Sequence, residues 1–413
     1  MLRRRIARID RKYAAETPPA SAPDRAPERY FVDEYMDGEV VTTPAGEHFE
    51  TERLFERHKL HGSMDIASLG EMPPDLLGAI SAGEVRAAPA GRWAFLDTET
   101  TGLAGGSGTY AFLIGVGRIT ADGFRVRQFF MRDYGEEPSL LHALREHLEQ
   151  FDTLITYNGK VYDVPLLETR FRMSRTRPPF SRLDHLDLLF GARRLWRLRF
   201  DSCRLVDLER QIFGVEREGD LPGEMIPYVY FEYLRTREAQ RLVPVFHHNA
   251  IDILTLACFA AIVPYAFRSP AETSLSHGAE LVGLGRWLLQ AGQPEQALEL
   301  FRRAVDSEMP DPLLFRTLWD MAQIERKLGR YDAALTILTD LSTCVNPFRR
   351  PALVALAKHY EHRERDYALA LELTRTAIRL EDTPEIRHRE ARLLRRARVD
   401  PGTPTQLVYA GGR

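Results

Sequence analysis

Apolar and polar positions divide the chain into a central block of strands and helices and a C-terminal block of helices. Four central segments are apolar or alternate with a period of two, which predicts strands over residues 92–98, 110–119, 124–130 and 153–157. Pro138 opens a helix with leucines every fourth residue up to Leu148, and another helix is expected to begin near Val161. The order β-β-β-α-β-α predicts an α/β fold, with a mixed sheet flanked by helices.

From Gly278 onward the pattern is helical and repetitive. An Ala-Leu pair that follows a turn begins at residues 297, 334 and 370, with spacings of 37 and 36 residues. This pattern resembles tetratricopeptide helix pairs, although their usual period is about 34 residues. The third copy also lacks the glycine that the first two have in the turn. The sequence therefore predicts an all-α repeat domain, a type of domain that commonly binds proteins.

A chain of 413 residues is long enough for two or three domains. The Pro- and Arg-rich N-terminus is typical of a flexible tail. We expect five segments: a tail over 1–28, an N-terminal extension over 29–90 that packs on the next domain, the α/β domain over 91–268, the helical repeats over 275–398, and a C-terminal tail over 399–413.

Composition limits the function classes. With 44% apolar residues, 28% charged residues and a net charge of −3, a uniformly basic nucleic-acid coat is excluded. Residues 170–204 nevertheless carry ten arginines against three aspartates. This excess of positive charge is consistent with phosphate contacts, and the alternatives are a solvated helical face or acidic partners elsewhere in the fold. The pattern alone leaves these open.

Cysteine usage and hydropathy bear on the compartment. The three cysteines are scattered without metal-type spacing, which favours a reducing, cytoplasmic location. The apolar run over 253–267 is short for a membrane span and contains Pro264, so no membrane segment is expected.

The candidate chemistry begins where the first central strand ends, at Asp97 and Glu99. Residues i and i+2 of a strand point to the same face, so the two carboxylates are expected side by side. Two like charges at such a distance are unfavourable unless a cation lies between them. Because hard cations take oxygen ligands, this pair predicts the first half of a metal site.

Two later acids complete the predicted site. Asp163 follows an Asn-Gly turn and falls in the first turn of a helix, where the helix dipole favours an anion. Asp252 lies inside an apolar helix, where a lone acid is rarely found without a partner. His248 precedes it by four residues on the same helix face and is the candidate base. His247 remains the alternative if the helix begins only after His248.

Together these segments resemble the DEDD, or DnaQ-like, 3′–5′ exonuclease superfamily, which has a ribonuclease H-like fold. The first, second and third motifs of that superfamily are similar to residues 95–103, 158–163 and 248–252. Two further segments, 103–112 and 221–227, are similar to the bacterial YprB-like group. In that group the nuclease-like domain precedes tetratricopeptide-like helices.

The resemblance implies a metal-dependent 3′–5′ exonuclease acting on the end of single-stranded DNA or RNA. It implies two Mg²⁺ or Mn²⁺ ions, held by Asp97, Glu99, Asp163 and Asp252. Asn158 and Thr98, with the glycine-rich turn at 102–108, are the candidate substrate contacts.

Two questions stay open in the sequence. The first is which histidine is the base. The superfamily has either a tyrosine four residues before the last acid or a histidine five residues before it, and here both positions, 248 and 247, are histidines. The second question is whether the chain cuts at all. The alternative is a non-catalytic scaffold that binds nucleic acid and recruits partners through its helical repeats.

Overall fold

The structure is a computed structural model that describes residues 32–102, 108–217 and 219–399. Its centre is a seven-stranded mixed sheet with the order β1-β2-β7-β6-β5-β8-β9, and β3 and β4 form a separate ribbon. The strands are β1 (Glu39–Thr43), β2 (Gly46–Glu56), β3 (Leu60–His61), β4 (Met64–Asp65), β5 (Trp93–Thr100), β6 (Ala111–Thr120), β7 (Gly123–Phe130), β8 (Thr153–Thr156) and β9 (Asp184–Asp187). In the large sheet β5, β8 and β9 run parallel, and the other neighbours are antiparallel.

Helices cover the sheet and connect its strands. They are α1 (Glu137–Leu148), α2 (Asp163–Met173), α3 (Leu188–Trp196), α4 (Leu205–Leu208) with a π-helical continuation over Glu209–Phe213, α5 (Ile226–Thr236) and α6 (Val243–Arg268). Helix α6 packs across β5, β6 and β7. Together with the preceding turn, it is long and apolar enough to cross a membrane by length and composition, but 78% of that apolar window is buried inside the protein. Its apolar side chains therefore form the core between the sheet and the repeats.

The predicted mixed sheet flanked by helices is confirmed, and the four predicted strands and two predicted helices are observed within a few residues of their expected bounds. The N-terminal hairpin β1–β2 extends the same sheet beside β7. Strand β9 was not predicted from the sequence. The predicted tails, up to residue 28 and beyond Val399, lie outside the described residues, as do residues 103–107 of the glycine-rich turn.

Two glycines allow α6 to lie close to the sheet. A Cβ atom on Gly115 would come within 2.2 Å of Ile253 and 2.3 Å of Asn249, and one on Gly117 within 2.5 Å of Ile253. Both glycines lie on the face of β6 that α6 covers. Any side chain there would push α6 and its polar residues away from the strand that carries Asp97.

The C-terminal domain is a stack of helices, as predicted: α7 (Gly278–Gln290), α8 (Pro294–Val305), α9 (Asp311–Lys327), α10 (Tyr331–Thr343), α11 (Arg349–His359), α12 (Tyr367–Leu380) and α13 (Pro384–Val399). The turns before α8 and α10 contain Gly292 and Gly329, with φ of +78° and +77°. At the equivalent position of the third copy, Arg365 adopts the same left-handed conformation, with φ of +58°. The missing glycine therefore leaves the turn geometry intact, at some cost in strain.

Candidate active site

Asp97 and Glu99 lie in the last half of β5, an interior strand between β6 and β8, and both remain partly accessible. Burial raises the pKa of Asp97 well above its ordinary value, and the charges of Asp252, Glu99 and Asp163 add to the effect. Burial also raises the pKa of Glu99, to about 8, and the positive charge of His248 only partly opposes the rise. The negative charges of Asp97 and Glu99 are therefore not fully compensated by positive charges of the protein.

Asp163 is the first residue of α2, the helix that follows β8, and it lies near Asp97. The Thr98 hydroxyl donates a hydrogen bond of 2.5 Å to its Oδ1 atom. Burial raises the pKa of Asp163 to about 6, and the charge of Asp187 adds to the rise, whereas the Thr98 bond opposes it. Thr98, predicted as a substrate contact, thus makes its observed contact with an acid of the site.

A buried carboxylate, Asp187, shapes the turn that leads to Asp163. Its Oδ1 accepts hydrogen bonds from the backbone N–H groups of Asn158 (2.8 Å) and Leu189 (3.1 Å), and its Oδ2 accepts one from Lys160 (3.0 Å). Asn158 has a left-handed backbone, with φ of +67°. Asp187 therefore fixes the strained turn that carries the candidate substrate contact Asn158 and delivers Asp163.

Asp252 and His248 come from α6. This helix begins at Val243, so His247 and His248 both lie inside it. The Nε2 atom of His248 is 3.5 Å from Oδ2 of Asp252. Its Nδ1 atom is 2.8 Å and 3.0 Å from the two carboxylate oxygens of Asp220. Burial lowers the pKa of His248, but the bond to Asp220 and the charges of Asp252 and Glu99 outweigh it and raise that pKa to about 9.

His247 points elsewhere. It is exposed, and its Nδ1 atom lies 2.8 Å from the guanidinium of Arg53 on β2. Burial lowers the pKa of His247, and the charge of Arg53 lowers it further. The geometry therefore favours His248 over His247 as the base, because only His248 faces the acids.

Arg217 is a buried cation within the site. Its guanidinium donates to Oε2 of Glu209 (2.6 Å), to Oδ1 of Asp252 (2.5 Å) and to Oδ2 of Asp220 (3.3 Å). Glu209 is fully buried and also accepts a hydrogen bond from Thr255. Arg217 thus links Asp252 to the buried carboxylate of Glu209.

A second polar chain anchors the first acid. The amide of Asn249 donates to Oδ2 of Asp97 (2.9 Å), and its oxygen accepts from Gln128 of β7 (2.8 Å). Asn249 and Gln128 are both buried. Two neutral amides thus orient Asp97 without compensating its charge.

The set of donors suits a hard divalent cation. Four carboxylates converge from β5, α2 and α6, and oxygen ligands are those that Mg²⁺ and Mn²⁺ prefer. In the described ranges no group of three or more His, Cys, Asp or Glu side chains is arranged to hold a metal ion as it stands. The chemistry of the site fits a cation, but the side chains must move from these positions to hold one.

Several residues of this site were missed in the sequence: Asn249, Gln128, Asp187, Asp220, Arg217 and Glu209. A signal existed for Asn249, which is a polar residue in an apolar helix directly after His248. No local pattern indicated Asp187 or Arg217, because their roles depend on partners far away in the chain.

Comparison with known proteins identifies the families of the two domains. The model of the RNase H superfamily matches residues 94–262, and that of the tetratricopeptide repeat matches residues 280–313. Protein YprB of Bacillus subtilis (strain 168) is 31% identical over 286 residues, which cover 69% of this chain and 68% of that protein. YprB is itself described as an uncharacterized protein.

Proposed function

Since the chain belongs to the YprB-like family of the RNase H superfamily, we propose that it is a metal-dependent 3′–5′ exonuclease that hydrolyses phosphodiester bonds of single-stranded DNA or RNA. The observation that supports this proposal most directly is the convergence of four acids with a histidine that faces them. Asp97, Glu99, Asp163 and Asp252 would hold Mg²⁺ or Mn²⁺, and His248 would act as the base.

When bound at such acids, a divalent cation supplies Lewis acidity that lowers the pKa of an attacking water and stabilises the leaving 3′ oxygen. Asp220 accepts a hydrogen bond from Nδ1–H of His248, so the neutral ring presents Nε2 as the proton acceptor. For that role the pKa of His248 must fall from about 9. Compensation of the charges on Asp252 and Glu99 would lower it toward neutrality.

The test uses single strands of DNA and of RNA, labelled at the 5′ end, with the full-length protein and Mn²⁺. We expect a ladder of products shortened from the 3′ end that is lost in Asp97→Ala. The matched control is Asp201→Ala, because Asp201 is an exposed acid on the same domain. Binding of both polymers without shortening under Mg²⁺ and Mn²⁺ contradicts the proposal.

A second candidate function, a nucleic-acid-binding scaffold that does not cut, is favoured by one observation. Arg217 already engages Asp252, so the fourth acid is partly compensated without a metal. In that case the repeats would recruit a protein partner while the first domain binds nucleic acid. Under either function we propose a cytoplasmic protein that acts away from membranes. The labelled-strand assay separates the two functions.

A further inference from the structure

Three of the four acids of the site divide into two classes by their hydrogen-bond partners. Asp97 is held by the amide of Asn249 and Asp163 by the hydroxyl of Thr98, and both donors are neutral. Asp252 is held by the guanidinium of Arg217 at 2.5 Å. Within the residues that the structure describes, Asp252 is therefore the one acid of the four that accepts a hydrogen bond from a cationic group, and such a bond is stronger than one from a neutral donor.

The contact between Arg217 and Asp252 is built into the fold. The side chain of Arg217 is only 6% exposed. It also donates to Asp220 and to Glu209, and Glu209 is 1% exposed and is held in turn by His61 and Thr255. Moving Arg217 away would leave Glu209 as a buried carboxylate without its strongest partner, which is costly. The guanidinium of Arg217 is thus held in place by Glu209 as well as by Asp252.

Both carboxylate oxygens of Asp252 face nitrogen groups. Oδ1 accepts from Arg217, and Oδ2 lies 3.5 Å from Nε2 of His248. Asp252 therefore has less free oxygen to offer a metal than the three other acids. This arrangement departs from the expectation that two ions are held by Asp97, Glu99, Asp163 and Asp252 together.

We propose that Asp97, Glu99 and Asp163 hold one divalent cation tightly, and that Arg217 supplies at Asp252 the positive charge that a second cation would supply. The inference rests on the proposed metal-dependent function and deepens it. Arg217 is a positioning residue, because it acts through Asp252. Its guanidinium sets the number of ions that the site takes up.

The experiment is a Mn²⁺ titration of the full-length protein, with free Mn²⁺ counted by electron paramagnetic resonance and no nucleic acid present. We expect one ion per chain in the wild type and a second, weaker ion in Arg217→Gln, because Oδ1 of Asp252 becomes free. The control Arg217→Lys keeps the charge and is expected to bind one ion. Two ions bound to the wild type with affinities within about tenfold of each other overturn the proposal, as does a folded Arg217→Gln protein that still binds one.

A second pair of variants leaves Arg217 in place and covers the case in which Arg217→Gln does not fold. Asp97→Asn is expected to weaken the Mn²⁺ affinity by about 100-fold, and Asp252→Asn by less than about threefold. Equal losses in the two variants overturn the proposal. One tightly bound ion without hydrolysis of any strand would support this inference while contradicting the proposed function, so the two can fail separately.

Discussion

Asp97 lies directly opposite Gly115 in the antiparallel ladder of β5 and β6. The missing side chain at Gly115 is what lets Asn249 of α6 reach across and donate to Asp97. The position of the first acid therefore depends on a glycine in a neighbouring strand, 18 residues later in the chain.

Gly115→Ala tests this dependence. The added Cβ would meet Ile253 at 2.2 Å and Asn249 at 2.3 Å, so α6 must shift. We expect the free energy of unfolding to fall by about 1–3 kcal/mol, measured by urea denaturation, and the affinity for Mn²⁺ to weaken. Gly135→Ala is the control, since its Cβ would meet nothing within 4 Å. Equal effects of the two substitutions would show that close packing at Gly115 does not matter.

Asp187→Asn tests the turn before Asp163. The carboxylate accepts three backbone hydrogen bonds, and the NH₂ group of asparagine cannot accept the one from Lys160. We expect a loss of about 1–3 kcal/mol in stability, together with weaker Mn²⁺ binding because Asp163 moves. Asp201→Asn, at an exposed site, serves as the comparison. Unchanged Mn²⁺ binding in Asp187→Asn would mean that Asp163 is positioned without this turn.

The two adjacent histidines predict different kinetic outcomes. His248→Ala removes the proton acceptor that faces Asp252, and we expect the rate of hydrolysis to fall by about 10²–10⁴-fold. His247→Ala removes a side chain that contacts Arg53, and we expect only a small change. Single-turnover assays with labelled strands compare them. A His248→Ala protein as fast as the wild type would refute the assignment of the base.

His147 predicts a loss of stability in acid. It is buried on α1, its Nε2 atom has no hydrogen-bond partner among the described residues, and burial together with Arg127 and Arg118 lowers its pKa to about 4. The unfolded chain takes up a proton below about pH 6.5, whereas the folded protein resists it until about pH 4. The contribution is therefore present above pH 6.5 and is lost as the pH falls toward 4, by about 3 kcal/mol in all.

Urea denaturation at pH 5 and pH 7 measures this effect. We expect His147→Leu to reduce the difference between the two pH values. The control is His142→Leu on the same helix, where the side chain reaches solvent and Glu146. An identical pH dependence in wild type and His147→Leu would rule out His147 as the cause.

The fold was predictable where the signal is local. Alternating apolar positions predicted the central strands, and the i, i+2 and i, i+4 spacings brought together Asp97 with Glu99 and His248 with Asp252. Strand β9 was not found, because its four residues include two aspartates and a histidine and lack an apolar run. Arg217 and Asp187 were not found either, because a hydrogen bond to a distant residue leaves no periodic pattern in the sequence.

The arginine-rich segment shows the same limit, since charge counts do not reveal partners. In the structure Arg170 pairs with Glu137 and Arg199 with Glu280, while Arg182 donates to the backbone at the end of α1. Much of the positive excess is thus used within the protein. Fewer arginines of this segment are therefore available to contact phosphate groups.

Arg193 and Arg197 are the arginines we expect to contact nucleic acid. Both are exposed, and neither has an ion pair within the part of the chain that the structure describes. Burial raises the pKa of Tyr157, and the charge of Arg193 opposes that rise, which places this arginine near the strand end before Asn158. Arg193 is therefore the member of the pair that lies near the second motif.

Charge reversal tests this pair. Arg193→Glu/Arg197→Glu is expected to weaken binding of a single strand and to reduce the salt dependence by roughly two units of slope. The charge-matched control is Arg326→Glu/Arg379→Glu, which changes exposed arginines on the repeats. Fluorescence anisotropy in EDTA measures binding without cleavage. Equal losses in both proteins would indicate an effect of net charge alone.

The repeats are joined to the first domain by packing as well as by the chain. A Cβ on Gly283 of α7 would lie 2.4 Å from the carbonyl oxygen of Arg194 on α3, and the guanidinium of Arg194 stacks 4.9 Å from the centre of the Trp287 ring. One hydrophobic core runs from Phe95 beside the acids to Met321 of α9. The repeats are therefore held in place by packing and not by a flexible tether, so whatever binds along them would lie at a set distance and angle from the acids of β5.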